Sequence, residues 1–381
     1  MREDEYLKNI FAEFKVSKEL EKIIRATIKM PVKKRCEILN NLRIILKRKG
    51  LSLALLTLFR QQVNCGFVLG DPLIKREERI IEDRRTGIKF ILAWNPDREL
   101  RKNHKLLIER GVISKSPDKR KLVNFDSDGK PCYLCWKNIL EQNPSEIIFK
   151  IKLANEYFYA GANFANITNN HFTIMNSKHI PQLFRVKIID FMSSFLKKTN
   201  GYFRIIYNGL AGASIKAHEH LQATTEKFPI EAIKKGRNLS KKDKEVSLYK
   251  PIFYIPLFLL ESKKPEKIRE EAETIIEKWE SLSPDHTENL LMTKTGEMFN
   301  LYIFLRDSKK LAGSGKVGAM ASFEVSGRIV LSVSEGMINE RKIFEKGGIE
   351  WIESIYNDIK PSEKMIKLLN KELFSKDGGF K

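Results

Sequence analysis

Strand, helix and strand groups occur on both sides of a basic stretch at Lys234–Lys244, KKGRNLSKKDK. Ahead of it, period-two alternation predicts strands over 156–160, 171–175, 202–207 and 217–224, with a helix over 183–198, LFRVKIIDFMSSFLKK. Beyond it the same reading predicts strands near 251–260, 288–293, 298–305 and 328–334, and helices near 264–280, 338–358 and 361–374. Strands and helices interspersed in this way call for an α+β fold. No residue repeat recurs at a fixed period, so any duplication rests on element order alone.

The first hundred residues read as mainly helical. Pro31 suits the first helical position of PVKKRCEILNNLRIILKRKG, and Gly50 the position after its end. A second helix follows over LSLALLTLFRQQVNC, and GIKFILAWNPDR at 87–98 turns to strand chemistry, ending at Asn95-Pro96. The polar stretch 111–130 suits a boundary. The expected division is a helical region over 1–125, a first mixed unit over 126–235 and a second over 236–381.

The formal charge of +21 comes from 69 basic and 48 acidic residues mixed along most expected helices, as in KREERIIEDRR. That pattern is a solvated surface, and it also suits a phosphate-bearing small molecule. No basic stripe interleaved with aromatics points to nucleic acid. The N-terminus, MREDEYLKNIF, lacks the apolar run of a signal peptide. The most apolar stretch, PIFYIPLFLL, is ten residues with two prolines, against roughly 20 for a membrane span. The expectation is a soluble cytoplasmic protein without a membrane partner.

Four cysteines are too few for a disulfide scaffold of this size. Cys36 and Cys65 sit in apolar helical patterns and read as buried structural thiols. Cys132 and Cys135 form a C-x-x-C after a turn, FDSDGKP. Two thiolates need two more ligands to close a tetrahedral zinc site, and His171, His179, His218, His220 and His286 are candidates; a loop with two free thiols is the alternative. In GASIKAHEHLQAT, His218, His220 and Gln222 fall on every second position. On a strand they project to one face, about 6.6 Å apart. Asn208-Gly209 and Gly212-Ala213-Ser214 just upstream offer a small-residue loop whose N–H groups can cradle phosphate. Structural histidines, a catalytic metal pair and a nucleophile site all fit these letters.

GASIKAHEHLQA resembles the active-site strand of the transferase branch of the histidine-triad (HIT) superfamily, whose signature is H-x-H-x-Q. That branch includes galactose-1-phosphate uridylyltransferases, diadenosine tetraphosphate phosphorylases and GDP-hexose phosphorylases. CYLCWKN, NFA at 163–165 and HFTIMNSKHIPQL extend the resemblance over roughly 126–226. The segments AWNPDR and GASIKAHEHLQA also resemble a bacterial group of uncharacterised HIT-type proteins. Glu219 stands where the uridylyltransferases have proline, Ser214 lies one residue farther upstream, and Tyr302 and Phe304 occupy the stretch of their second metal segment.

The resemblance implies an antiparallel HIT-like sheet with flanking helices, in two HIT-like halves, plus the helical N-terminal region. It implies His220 as nucleophile, Gln222 as donor to a phosphoryl oxygen, and a structural Zn2+ held by Cys132, Cys135, His179 and His218. Asn138, Asn163, Asn208 and Ser214 become candidate nucleotide contacts. The implied partners are a nucleotide sugar or dinucleoside polyphosphate with a phosphate-type acceptor, and a second copy of the chain in a homodimer. A HIT-type nucleotide hydrolase and a nucleotide- or RNA-binding module are the rival readings. His171 reads as a strand residue with a satisfied ring. Arg306 and Lys309 read as exposed charges within reach of phosphate, and AGSGKVG at 312–318 as a flexible loop.

Overall fold

Strands drawn from 148–224 and 247–307 pair into one nine-stranded antiparallel sheet. The structure, a computed structural model, describes residues 3–70, 77–125, 128–240, 245–310, 319–332 and 340–374. Its strands are β1 Glu77–Asp83, β2 Ile88–Trp94, β3 Ile148–Leu153, β4 Glu156–Ala162, β5 Phe172–Asn176, β6 Arg204–Asn208, β7 His220–Thr224, β8 Ser247–Tyr249, β9 Leu257–Ser262, β10 His286–Thr295, β11 Met298–Asp307 and β12 Arg328–Leu331. Its helices are α1 Glu3–Glu13, α2 Lys18–Lys29, α3 Arg35–Asn64, α4 His104–Glu109, α5 Trp136–Gln142, α6 Lys187–Lys198, α7 Pro265–Ser281, α8 Ser322–Val325, α9 Glu340–Lys346, α10 Ile349–Ile359 and α11 Glu363–Phe374.

The large sheet runs β3-β4-β5-β7-β6-β10-β11-β9-β8. Its centre is the β6–β10 pairing, Asn208 opposite Asn289. Read outward from there, each half is built alike: a strand, a helix, then a two-strand return (β5-α6-β6-β7 and β9-α7-β10-β11). The duplication lives in topology, without a residue repeat.

The pleat sorts side chains between two cores. Leu290, Met292, Leu301 and Ile303 face the helices and pack with Ile188, Phe195, Ile275 and Trp279. Helices α1–α3 close over the same face, with Leu20, Leu42 and Phe59 in that core. Leu291, Tyr302 and Phe304 face the other way, against Phe90, Phe323, Ile352 and Tyr356. That second face is covered by α8, α10 and a small sheet, β1-β2-β12. On β7, Leu221 and Ala223 join the helix-side core, so His220 and Gln222 project to the opposite face.

Several expectations change. KREERIIEDRR is not helical: Glu77–Asp83 is an antiparallel edge strand on β2, where charged outward residues discourage further strand pairing. A turn closes that hairpin, with Asp83 accepting from Arg85 N (2.9 Å) and Thr86 Oγ1 (2.5 Å). The two expected N-terminal helices do meet at Gly50, whose left-handed φ of 83° and extended ψ break the helical geometry within α3. Strand β9 starts only at Leu257, after Pro256, which has no N–H to give a ladder. The 338–358 segment breaks between α9 and α10 at Gly347-Gly348. Cys36 is exposed and Cys65 only partly buried. The 312–318 loop, residues 333–334 and Lys241–Lys244 lie outside the described residues. No described helix is long and apolar enough to cross a membrane.

Candidate active site and metal cluster

Four side chains from three segments meet beside the N-terminus of β7. Cys135 caps α5, Cys132 lies three residues earlier, His179 follows β5 and His218 precedes β7. Their ligand atoms all lie within 4.8 Å of one another. Cys132 Sγ is 3.4 Å from His218 Nδ1, and Cys135 Sγ is 3.3 Å from His179 Nδ1. His218 Nε2–H donates to the Asn176 carbonyl at 2.8 Å, which leaves Nδ1 with the lone pair that a metal requires. The hydrogen bond between the thiols pulls Cys132 well below the usual thiol range and pushes Cys135 above it. Two soft sulfurs and two imidazoles in one buried cluster can hold a metal ion.

Two residues on, the chain enters the sheet. Pairing of β5 with β7 sets His220 opposite Met175 and Gln222 opposite Thr173. His220 and Gln222 therefore line a cavity of about 440 Å³ on the face away from α6 and α7. His218 does not share that wall, because β7 begins only at His220. His220 Nδ1–H donates to the His218 carbonyl at 2.9 Å, so Nε2 keeps its lone pair. Gln182 clamps the backbone here: its Oε1 accepts from His220 N at 2.7 Å, and its Nε2 donates to the carbonyls of His220 and Asn208. Burial pushes the His220 imidazole down to about 4, which keeps it neutral. Gln222 Oε1 accepts from His171 Nε2 at 3.2 Å, leaving the Gln222 amide N–H groups for a ligand.

This arrangement has counterparts. Residues 118–225 match a family described as a domain of unknown function, DUF4922. Galactose-1-phosphate uridylyltransferase 1 of Streptococcus pneumoniae is 24% identical over 200 residues, 46% of this chain and 41% of that protein. The match thus spans less than half the length of that relative. Crystal structures of yeast Ap4A phosphorylase Apa2, alone and in complex with Ap4A, superpose with TM-scores of 0.52 and 0.51. Identity to both is 13%, and coverage reaches 80% and 81% of this chain against 95% and 97% of theirs. The chain has the fold of yeast Ap4A phosphorylase Apa2.

Within that fold, Asn163, Asn208 and Ser214 line the cavity with His220 and Gln222. Asn208 Oδ1 accepts from Ser322 N, Ser322 Oγ and Asn289 Nδ2 at 2.8, 2.6 and 3.0 Å. Asn138 is not on the cavity wall. It is fully buried and donates to the carbonyls of Val123 and Cys132 while accepting from Val123 N, so it braces the Cys132 loop. Glu219, in the place of the uridylyltransferase proline, is 1% exposed; it binds Arg185 bidentately at 2.7–2.9 Å and Asn176 Nδ2 at 2.7 Å. Arg306 is wholly buried rather than exposed: Nη1 donates to Asn289 Oδ1 and the Met320 carbonyl. Lys309 is an exposed partner of Asp285.

No lysine or arginine appears among the described cavity-lining residues. The role of His171 beside Gln222 escaped sequence reading, since 51 residues separate the two. Its one signal was its place at the start of an expected strand.

Proposed function

We propose that this protein is a nucleotidyltransferase or nucleoside-diphosphate phosphorylase working through a nucleotidyl-histidine on His220. The observation that carries the reading is the buried, neutral His220, with Nδ1–H tied to its own backbone and Nε2 left as a nucleophile beside the Gln222 amide. In the first half-reaction Nε2 attacks the α-phosphorus of a nucleotide sugar or dinucleoside polyphosphate. The bond to the bridging oxygen breaks, and the sugar phosphate or remaining nucleotide leaves with the electron pair. Gln222 donates N–H to a non-bridging oxygen as charge builds there. An amide neither protonates a leaving group nor activates water, so the intermediate waits for phosphate or a sugar phosphate. The acceptor oxygen then attacks phosphorus, the P–N bond breaks and His220 is restored. The uridylyltransferase relative and the Apa2 fold support this class of chemistry.

The Cys132, Cys135, His179 and His218 cluster suits zinc. With Zn–S about 2.3 Å and Zn–N about 2.0 Å, a tetrahedron has an S···N edge of about 3.5 Å, and the contacts here are 3.3–3.5 Å. Bound there, a four-ligand zinc is closed and structural: it ties the Cys132 loop to the backbone turn at His218. That turn supplies the carbonyl that sets the His220 tautomer.

The test is to incubate the protein with a panel of nucleotide sugars and dinucleoside polyphosphates without acceptor. The expected product is an acid-labile, alkali-stable nucleoside monophosphate adduct at His220, found by mass spectrometry and lost in His220→Ala with metal retained. No adduct across the panel, with metal lost from both His218→Ala and His220→Ala, would establish a metal hydrolase instead.

A further inference from the structure

The sheet face that carries His220 ends, at the β3 edge, in aromatic rings and lysines that reach solvent. Strand β3 is the outermost strand of the large sheet, and its hairpin with β4 sets Lys150 opposite Tyr159 and Lys152 opposite Tyr157. These four side chains project to the His220 face, because Tyr159 pairs on to Met175 and Met175 to His220. Tyr157 is 48% exposed, and both lysines are exposed. Lys150 Nζ lies 4.1 Å from the centre of the Tyr157 ring. Trp136 of α5 stacks on Tyr159, with ring centres 5.8 Å apart and planes 26° from parallel. The exposed Lys137 lies 5.7 Å from the Trp136 ring.

Lys137, Lys150 and Lys152 form no ion pair among the described residues. Glu156 is the one acidic residue of the hairpin. It alternates with Tyr157 to the other side of the pleat, where Lys178 and Lys187 hold it at 3.7 and 3.5 Å. The patch is therefore cationic and aromatic at once. Its residues are scattered over α5 and two strands, so the chain shows no basic stripe interleaved with aromatics; the fold assembles one. Lysines attract any phosphate backbone, whereas open ring faces hold bases only where those bases are unstacked. A duplex keeps its bases stacked inside and would meet the lysines alone. Lys150 and Lys152 stand about 6.6 Å apart along the strand, on the scale of one nucleotide step in an extended chain.

We infer that this hairpin face binds single-stranded nucleic acid, with bases stacking on Trp136 and Tyr157 and phosphates held by Lys137, Lys150 and Lys152. Each tyrosine stands opposite a lysine, so ring and cation alternate as base and phosphate do along a strand. When Lys150 turns from the Tyr157 ring to a phosphate, that ring face opens to a base. Lys150 shares a row with Tyr159, Met175 and His220, three strands and about 14 Å from the histidine. Binding of this kind needs no nucleotidyl transfer at His220.

Fluorescence anisotropy of a fluorescent oligouridylate titrated with the full chain tests it, beside a duplex of the same length. The single strand is expected to bind about 10-fold more tightly than the duplex. Lys150→Ala together with Lys152→Ala should weaken the single strand about 10- to 30-fold and flatten the slope of log affinity against log salt by about 1.4. Tyr157→Ala should weaken it about 10-fold and leave that slope unchanged. Lys364→Ala together with Lys367→Ala removes the same charge from the exposed side of α11 and should change affinity by less than about 2-fold. The strand–duplex comparison needs no variant, so it decides the matter even if a variant does not fold. No single-strand binding at about 50 mM salt, a duplex bound as tightly, or patch variants no weaker than the α11 pair would overturn the inference. Patch variants that split a dimer in sedimentation, with strand affinity unchanged, would give the face to a second copy of the chain and overturn it too.

Discussion

At the scale of single residues, the site is a set of hydrogen bonds that decide which atom of each side chain meets the ligand. His220 spends Nδ1 on the His218 carbonyl, and Gln222 spends Oε1 on His171. What remains is one lone pair and one amide donor facing the same space. If Gln222 supplies a single oxyanion-type hydrogen bond, Gln222→Ala should still form adduct but with the transfer rate lowered about 10²- to 10³-fold. Single-turnover rates measure this, and an unchanged rate would remove Gln222 from the chemistry.

At the scale of elements, β7 is held from both sides of its first residues. On one side the Cys132–Cys135 loop and His179 meet His218. Cys132→Ser is expected to lower bound zinc and the melting temperature together, because metal binding in such clusters is folding free energy. Elemental analysis alongside thermal melts checks it, and full metal content with an unchanged melt would sink the zinc reading. On the other side Glu219 ties β7 to Arg185, ahead of α6, and to Asn176 at the end of β5. Removing Arg185 strands a carboxylate that is 1% exposed, so Arg185→Ala should cost about 3 kcal/mol. Glu219→Gln keeps the Asn176 contact and leaves Arg185, 36% exposed, to turn to water; about 1 kcal/mol is expected. Denaturant unfolding of the two variants should give that order.

At the scale of the whole molecule, the two halves meet at β6 and β10, and polar residues cross that seam. Arg306 of β11 holds Asn289 of β10, which donates to Asn208 of β6, whose Oδ1 also binds Ser322 of α8. One buried guanidinium in the second half thereby fixes a cavity residue of the first. Burial pulls its pKa down to about 10, still charged at neutral pH. A lysine ammonium lacks the flat fork whose Nη1 serves Asn289 and the Met320 carbonyl while Nη2 reaches the Lys310 carbonyl. Arg306→Lys is expected to cost about 2 kcal/mol of stability and to raise KM for the nucleotide donor more than it lowers kcat. A variant with wild-type stability and KM would show that the crossing is inconsequential.

The sequence by itself determined what short-range periodicity can encode. The alternation put His220 and Gln222 on one wall, and it also put His218 there, which the start of β7 at His220 takes off it. The order of strand and helix runs made the α+β class legible, and the C-x-x-C with the H-x-H-x-Q strand carried the superfamily resemblance. What only the tertiary structure decided depends on contacts between positions far apart along the chain, where local pattern is silent. Nothing near Gln222 says that His171 orients it, and nothing near Arg306 says that it is buried. A helical turn places Asn138 toward Cys132 and Val123, yet the letters equally suit a ligand contact. KREERIIEDRR reads as a charged helix until β2 offers a strand to pair with. Asn143 and Glu146 look like residues of an ordinary turn, and only the folded chain lays that carboxyl over the bare backbone of Gly161. Burial and pairing are properties of the folded neighbourhood, and they set which polar atoms are spent on the protein and which are left for a ligand.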